Sequence, residues 1–419
     1  MTTRAGAILL LAFVAVFLAL NASAYRGYFQ DDEIDNISWT RWLPVSDFAK
    51  GVATPLTYEN NFRPVGHLYF HAVEAAAALD FPVYVALLQA FHMLNVWLLW
   101  TVIRRMGATV AGAALACCFF GLHMALFDNF WKPMYVFDVL CTTFCLASIA
   151  AWLRGRWVWS LIAFWLAYKC KEPAVMLPAV LAICEWWFGK RRWKPLIPFF
   201  AVSLNFGLQG MLRNAGINND YTFRFTLGAI GKTLPFYAGR VFLIPWIGLA
   251  VVVLAVVVRD RRMWFGLSMM ALFFFPLLFL PGRLFSAYCY LPFAGLAIAL
   301  SAVNAPALAI AIALWMPMNI RELRARSRET LPQDAQIRTW MTGVEHFAAT
   351  GKQVDGFVFS GEPAGFERWG VEGTIKYWFP KAQVKWIEEP GAQEWMAGKR
   401  VARIEWDWVR RSVKVEEAH

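Results

Sequence analysis

Residues Tyr25–Arg41 read YRGYFQDDEIDNISWTR and directly follow the first apolar run of the chain. This stretch places Asp31, Asp32 and Glu33 side by side, with Asp35 close behind. Adjacent carboxylates are costly to keep beside a hydrocarbon layer, so in an apolar chain they usually serve a functional site. What these carboxylates do therefore depends on whether the rest of the chain belongs in a membrane.

The composition predicts a membrane protein that crosses the bilayer several times. The chain has 419 residues, of which 59% are hydrophobic and only 16% are charged, whereas a soluble domain carries about 25% charged residues. The net charge of +11 is attributed to basic loops that set topology, and nucleic-acid binding is not expected, because no basic run lies on a soluble module. The seven cysteines show no metal-ligand spacing, which favours small buried side chains.

Apolar runs separated by charged markers predict roughly 11 membrane-spanning helices. The first run is Ala5–Ala24, for which a cleaved signal peptide is the alternative, because Ala22-Ser23-Ala24 resembles a cleavage site. Basic clusters recur at every second connection, which predicts that they are cytoplasmic and that the Asp31–Glu33 loop, the Lys169–Glu172 turn and Arg283 lie outside. The basic clusters are Arg104-Arg105, Arg154 with Arg156, Lys190–Lys194 and Arg259–Arg262.

Two parts of the chain are expected to hold the elements that do not span the membrane. In the first outer loop, a short helix containing Ile34 and a second helix beginning at Pro64 are expected to lie at the membrane interface. The tail, residues 321–419, lacks a spanning run and is predicted to form a small extracytoplasmic α/β domain, whereas residues 1–320 form an all-α polytopic membrane module. The predicted tail strands are Val354–Phe359, Gln383–Ile387 and Val401–Trp408, and the predicted helix is Val371–Phe379.

The carboxylate cluster allows three interpretations. As a general base, Asp31 or Asp32 would take a proton from an attacking hydroxyl, and repulsion among neighbouring carboxylates would raise one pKa toward a useful range. As a metal site, the same loop would bind a divalent cation, since hard cations take clustered carboxylates. As a structural feature, the loop would simply be solvated. The residues alone leave these alternatives open.

Several basic residues are expected on the same side of the membrane as the carboxylates. Arg63 is suited to hold a phosphate through paired N–H donors, although interfacial arginines also bind lipid headgroups. Lys169 and Lys171, beside Glu172, are suited to neutralise an anionic leaving group, or they only extend toward the aqueous interface. Arg283 has the same two interpretations.

Two further groups of polar side chains lie on predicted helices. His67, His71 and Glu74 share one helix face at positions i, i+4 and i+7, which makes a zinc site a minor alternative to the polar side of an amphipathic helix. His92 and Asn95 lie within an apolar span, where a buried, hydrogen-bonded pair between helices is expected.

Taken in order, these motifs resemble those of the GT-C glycosyltransferases, especially the membrane O-mannosyltransferase relatives whose tails carry tetratricopeptide repeats. The resemblance covers residues 25–178 well and residues 283–292 loosely. It departs from the relatives in two places, since Phe285-Ser286-Ala287 stands where they often carry an arginine, and the tail shows no tetratricopeptide repeats. The matching residues are Asp31-Asp32, Arg63-Pro64, Phe91-His92-Met93-Leu94-Asn95, Lys171-Glu172-Pro173 and Tyr288-Cys289-Tyr290-Leu291-Pro292.

The resemblance implies inverting transfer of a sugar from a polyprenyl-phosphate donor to an acceptor hydroxyl outside the cytoplasm. A loop aspartate is the base in such enzymes, which corresponds here to Asp31 or Asp32. The counterparts expected to hold the donor phosphate are Arg63, Lys171 and Arg283. Residues expected to support the site are Glu33, Lys169, Glu172, His92 and Tyr290.

Three other classes of protein are alternatives to a glycosyltransferase. A lipid-linked saccharide flippase or other transporter would place charges deep within the spans of two repeated halves, whereas these charges lie mostly at the predicted outer rim and no repeated halves are evident. A non-catalytic assembly protein would act through its tail, and a hydrolase would use water as the acceptor. The expected partners are the bilayer, a lipid-phosphate sugar and an acceptor that the sequence does not name; no cofactor is expected with certainty.

Overall fold

The structure, a computed structural model, describes residues 3–56, 62–213, 218–243 and 246–418, and these are mostly α-helical with one small sheet. The helices are α1 (Thr3–Asn21), α2 (Asp31–Thr40), α3 (Val45–Ala53), α4 (Pro64–Ala77), α5 (Phe81–Arg105), α6 (Val110–Leu122), α7 (Phe127–Trp131), α8 (Val136–Trp152), α9 (Trp157–Tyr168), α10 (Leu177–Phe188), α11 (Ile197–Arg213), α12 (Leu227–Phe242), α13 (Ile247–Val258), α14 (Arg261–Phe274), α15 (Tyr290–Leu300), α16 (Ala305–Ala349), α17 (Arg368–Trp378) and α18 (Ala392–Met396). The strands are β1 (Gly356–Ser360), β2 (Gln383–Trp386), β3 (Val401–Asp407) and β4 (Ser412–Ala418).

Four stretches in the described part of the chain are long and apolar enough to cross a membrane: Phe81–Arg105, Pro133–Trp152, Lys194–Leu212 and Arg261–Phe279. The number rises to seven if each of three bent helix pairs is one span. The prediction of roughly 11 spans is therefore not confirmed. The physical reason is that many apolar runs form shorter or broken helices. The 12 residues of α9, for example, extend only about 18 Å, against a hydrocarbon core of about 30 Å.

The chain divides into two compact units, each built from several segments. The first unit comprises residues 1–22, 48–66 and 87–323, and the second comprises residues 23–47, 67–86 and 324–419. Helix α16 runs without a break across the predicted domain boundary at residue 320.

In the first unit, small residues allow helices to approach closely. A Cβ atom added at Gly266 of α14 would lie 2.4 Å from the main-chain oxygen of Gly295, and one added at Gly295 of α15 would lie 2.6 Å from the oxygen of Gly266. Ser148 of α8 donates from its hydroxyl to the main-chain oxygen of Ser160 in α9, over 2.9 Å. Close approach of small residues and hydrogen bonds between helices are the usual means of helix association in an apolar medium.

In the second unit, the four strands form one sheet in the order β2-β1-β3-β4. Strand β1 pairs in parallel with β2 and with β3, whereas β3 and β4 are antiparallel. The connection from β1 to β2 contains α17, as parallel pairing requires a crossover. The three predicted strands and the predicted helix are present with shifts of at most three residues at their ends, and β4 was not predicted.

Also in the second unit, α2 packs against α17 through two glycines. A Cβ atom added at Gly370 would lie 2.6 Å from the Asp31 carboxylate, and one added at Gly373 would lie 2.8 Å from the Cα of Asp35. No side chain fits at either position, so the two helices touch along their backbones. Helices α2 and α4 confirm that one helix contains Ile34 and that a second one begins at Pro64.

Candidate functional site

The three adjacent carboxylates form the first turn of α2, where the helix dipole favours negative charge. Glu33 is fully buried, and its Oε2 accepts a hydrogen bond from the main-chain nitrogen of Gln30 over 2.9 Å, which completes a capping box. Asp31 accepts a hydrogen bond from the main-chain nitrogen of Glu367 over 2.7 Å, at the start of α17. The carboxylates of Glu33 and Asp31 therefore each accept a main-chain hydrogen bond that stabilises the local fold.

Two carboxyl groups of α2 have pKa values near neutrality. Burial raises the pKa of Asp31 to about 6, with the Asp32 charge adding to the effect and the hydrogen bond from Glu367 opposing it. Burial likewise raises the pKa of Asp35 to about 6, against the opposing charge of Lys376. A base works best when its pKa lies near the working pH, so this helix carries carboxyl groups suited to proton transfer.

Asp32 lies between these two groups in the sequence and is half-buried. Its negative charge contributes to the raised pKa of both Asp31 and Asp35. Its main-chain oxygen accepts a hydrogen bond from the Asn36 side chain over 2.5 Å, which anchors the first turn. The charge of Asp32 is therefore coupled to the protonation of both Asp31 and Asp35.

The basic residues singled out from the sequence lie in the first unit. Lys171 forms an ion pair with Asp138, with 2.5 Å between Nζ and Oδ2, and the two side chains are only 13% and 8% exposed. Asp138 lies in the first turn of α8 and was missed by the sequence reasoning. The signal available was a lone carboxylate inside an apolar run, which is a functional candidate by default.

Arg63 contacts Glu172 and Phe137, the sequence neighbours of Lys171 and Asp138. Its Nε donates to Oε1 of Glu172 over 2.8 Å, and its guanidinium lies 5.4 Å from the centre of the Phe137 ring. Glu172 follows Lys171 in the sequence, and Phe137 precedes Asp138. Both basic side chains are therefore held by carboxylates at one end of α8.

Tyr288 connects Arg283 to Lys171. Arg283 donates from Nη2 to the Tyr288 hydroxyl over 3.3 Å, and the Nζ of Lys171 lies 4.7 Å from the centre of the Tyr288 ring. Asp138, Lys171 and Tyr288 line one small cavity. The structure therefore brings together Arg63, Lys171 and Arg283, the three residues expected to hold a phosphate.

Lys169 has a different environment from that of Lys171. Its Nζ donates to the main-chain oxygens of Thr54 and Leu56, over 2.7 and 3.3 Å. Burial lowers the pKa of Lys169 to about 8. These contacts fix the chain after α3, which is a supporting role.

A buried polar network contacts the first turn of α8, which also carries Asp138. His92 and Asn95 are fully buried on α5. Nδ1 of His92 lies 2.6 Å from the hydroxyl of Tyr290, and Nδ2 of Asn95 donates to the same hydroxyl over 3.2 Å and to the main-chain oxygen of Val139 over 2.9 Å. Because Val139 follows Asp138, this network fixes the first turn of α8.

His67, His71 and Glu74, the three residues of the zinc alternative, have protein partners in the second unit. Nε2 of His67 lies 2.8 Å from the Asn36 side-chain oxygen, and Nδ1 of His71 lies 3.0 Å from the main-chain oxygen of Thr40. Glu74 accepts a hydrogen bond from the hydroxyl of Tyr377 over 3.1 Å. Within the described residues, no group of three or more histidine, cysteine, aspartate or glutamate side chains is placed to hold a metal ion.

Comparison with known proteins gives the fold class. No family model matches the sequence, and no curated protein matches it. Two crystal structures of ArnT from Cupriavidus metallidurans match with a TM-score of 0.51. The one bound to undecaprenyl phosphate has 13% identity and covers 97% of this chain and 97% of its own. The apo structure has 12% identity and covers 99% of this chain and 98% of its own.

A third match is a cryo-EM structure of the arabinofuranosyltransferase AftD from mycobacteria. It has 16% identity and a TM-score of 0.49, and it covers 90% of this chain and 31% of its own. At these identities the likeness to ArnT shows the fold alone. The chain shares its fold with ArnT, which confirms the predicted resemblance to the GT-C fold, and with its apolar helices it is an integral membrane protein.

Proposed function

We propose that the protein is a glycosyltransferase that moves a sugar from a polyprenyl-phosphate donor to an acceptor hydroxyl on the extracytoplasmic side, with inversion. One observation carries this proposal: Arg63, Lys171 and Arg283 gather around Asp138 and Tyr288 at one end of α8, in a chain with the GT-C fold. The ArnT structure bound to undecaprenyl phosphate supports a lipid phosphate as the ligand.

In the proposed reaction, Asp31 or Asp32 takes the proton of the acceptor hydroxyl. The hydroxyl oxygen forms a bond to the anomeric carbon while the bond from that carbon to the phosphate oxygen breaks. The polyprenyl phosphate leaves with the electron pair, and the basic side chains stabilise its charge. Attack opposite the leaving group gives inversion.

The basic cluster contains carboxylates as well, and this suits a site that binds and releases an anion. Without a ligand, Asp138 and Glu172 neutralise Lys171 and Arg63, which reduces the cost of keeping two cations partly buried. A donor phosphate adds oxygen acceptors to the N–H donors that are already gathered there, and Arg63 is suited to a bidentate contact.

The base is tested by three matched substitutions on one helix. Wild-type protein and the Asp31→Asn, Asp32→Asn and Asp35→Asn variants are assayed in membranes with undecaprenyl-phosphate-linked hexoses and pentoses, and release of undecaprenyl phosphate is followed. We expect one of the first two variants to lose roughly 100-fold or more in rate, whereas Asp35→Asn retains activity. Full activity in both the Asp31 and Asp32 variants would remove the general-base assignment.

Two further measurements complete the test. Binding of undecaprenyl phosphate alone should weaken in Lys171→Gln and Arg283→Gln but not in Lys352→Gln, because Lys352 pairs with Glu417 at an exposed position. The alternative of a divalent cation at Asp31 and Asp32 predicts that EDTA abolishes transfer and that added Mg²⁺ or Mn²⁺ restores it.

A further inference from the structure

A second cavity lies at the other end of α8 from Asp138. It has a volume of about 270 Å³ and is formed by the ends of α8 and α10, the start of α9 and the segment between α10 and α11. Asp138 and Trp152 are separated by 14 positions along α8, which corresponds to about 21 Å at 1.5 Å per residue. The cavity is therefore separate from the cluster around Lys171.

Basic side chains dominate the charge of this cavity. Arg154, Lys190 and Arg192 line it, together with one carboxylate, Glu185. Glu185 is only 5% exposed, and its two carboxylate oxygens accept hydrogen bonds from the Trp152 indole over 2.9 Å and from the main-chain nitrogen of Arg192 over 2.6 Å. Within the described chain, no carboxylate lies at ion-pair distance from the three basic side chains.

Candidate membrane spans end or begin at the cavity, as expected of a site at a membrane–water interface. One candidate span, Pro133–Trp152, ends at its wall, and another, Lys194–Leu212, begins there. Trp152 and Trp157 line the cavity, and tryptophan is enriched at this depth. Apolar side chains on the adjoining helices α10 and α11 are exposed: Trp186 by 53%, Ile197 by 67% and Phe200 by 47%.

We propose that this cavity binds the phosphate headgroup of an anionic membrane phospholipid. The three basic side chains supply N–H donors for the phosphate oxygens, and basic pockets between spans at the basic face of a membrane protein bind such headgroups. The volume admits a headgroup but not acyl chains, and the exposed apolar surface beside the cavity is suited to contact those chains. That surface favours a lipid over free phosphate.

A different role for the basic residues is to satisfy the carboxyl ends of α8 and α10. Helix dipoles favour cations there, and arginine or lysine side chains near a last turn hydrogen-bond the final carbonyls. If the basic residues only cap these helices, their substitution lowers the thermal stability by the same amount with and without anionic lipid. The lipid site predicts a loss that depends on the lipid.

The test uses the full chain in nanodiscs and measures bound lipid by native mass spectrometry. The probe is phosphatidylglycerol mixed into phosphatidylcholine. The test variant is Arg154→Gln with Arg192→Gln, and the control is Arg105→Gln with Arg259→Gln, which removes the same charge from two other basic loops. We expect retained phosphatidylglycerol to fall about fivefold for each basic residue removed in the test variant and to stay near wild type in the control.

Each outcome decides between the alternatives. Equal loss of lipid in both double variants would show general surface electrostatics and overturn the proposal, as would a stability loss that is unchanged when phosphatidylglycerol is omitted. Competition by inorganic phosphate against retained phosphatidylglycerol would assign the cavity to soluble phosphate and overturn its assignment to lipid. If the test variant fails to fold, the single variants Arg192→Lys and Arg192→Gln are compared instead. We expect phosphatidylglycerol to be retained by Arg192→Lys and lost from Arg192→Gln.

Discussion

Lys171 Nζ lies 2.5 Å from Asp138 Oδ2, and the two side chains are 13% and 8% exposed. A buried cation of this kind is stable only with a counterion, because desolvation is costly. Asp138 thus holds the Lys171 side chain in position beside Tyr288. In the proposed enzyme, a lysine already held in place meets the donor phosphate without further reorganisation.

We predict that Asp138→Asn destabilises the protein by about 3 kcal/mol, because it leaves the Lys171 charge buried without its partner. The melting temperature in detergent measures this effect. The matched control is Glu417→Gln, which breaks the exposed pair with Lys352, whose side chains are 51% and 43% exposed, and which should cost under about 1 kcal/mol. Equal melting shifts in the two variants would contradict a stabilising role for the buried pair.

We predict that Gly370→Ala and Gly373→Ala each destabilise the second unit by about 1 to 3 kcal/mol, because the new methyl group would overlap the α2 backbone. Limited proteolysis of the tail and thermal unfolding measure the loss. Gly231→Ala is the control, since Gly231 lies inside α12 and a Cβ there meets nothing within 4 Å. It should be neutral or stabilising, and a loss as large as that at Gly370 would refute the packing argument.

The sequence predicts local elements of this fold well and their long-range partners poorly. Pro64 marked the start of α4, and the strand predicted over Val354–Phe359 is present as β1, since both signals are local. The contact between Asp31 and the main chain of Glu367 joins positions 336 residues apart. Nothing in the Asp31–Glu33 stretch alone indicates that its neighbour is the start of a helix in the tail.

The difference between local signals and long-range partners also explains which features of the structure the sequence did not predict. The second part of α16 reads as a charged tail, yet the buried residues Ile337, Trp340, Met341 and Val344 recur at helical spacing. Asp138 was overlooked because its importance depends on Lys171, a partner 33 positions away. The prediction of roughly 11 spans is not confirmed, because an apolar run does not show where the helix within it breaks.

We predict that the contact between α2 and α17 strengthens on acidification. The pKa values of Asp31 and Asp35 are raised from 3.8 to about 6, so between about pH 4 and 6 the folded state binds more protons than the unfolded chain. Stability therefore falls as pH rises through this window. Each group should contribute about 1 to 2 kcal/mol after solvent screening.

Native-state hydrogen exchange of α17, corrected for intrinsic rates, should show stronger protection at pH 5 than at pH 7. The Asp31→Asn variant with Asp35→Asn should flatten this difference. The control is Asp355→Asn, because the hydrogen bond from the main-chain nitrogen of Arg400 lowers the pKa of Asp355. A pH dependence that persists unchanged in the double variant would show that other groups titrate.

We predict that Tyr290→Phe destabilises the first unit by about 1 to 3 kcal/mol. Its hydroxyl lies between Nδ1 of His92 at 2.6 Å and Nδ2 of Asn95 at 3.2 Å. Nε2 of His92 lies 3.0 Å from the main-chain oxygen of Gly121, so we assign the proton to Nε2, and Nδ1 accepts from Tyr290. Phenylalanine would remove this partner from the buried nitrogens of His92 and Asn95. The desolvation of these nitrogens would then no longer be offset by the lost hydrogen bonds.

Tyr288→Phe is the matched control, because it removes the same hydroxyl two positions earlier, where the partner is Arg283. Its thermal stability should change less, and its binding of undecaprenyl phosphate should weaken more, than in Tyr290→Phe. Melting temperature and lipid-phosphate binding, measured on the same preparations, separate the two roles. The reverse order of effects would mean that Tyr290 contacts the ligand and that Tyr288 maintains the helix packing.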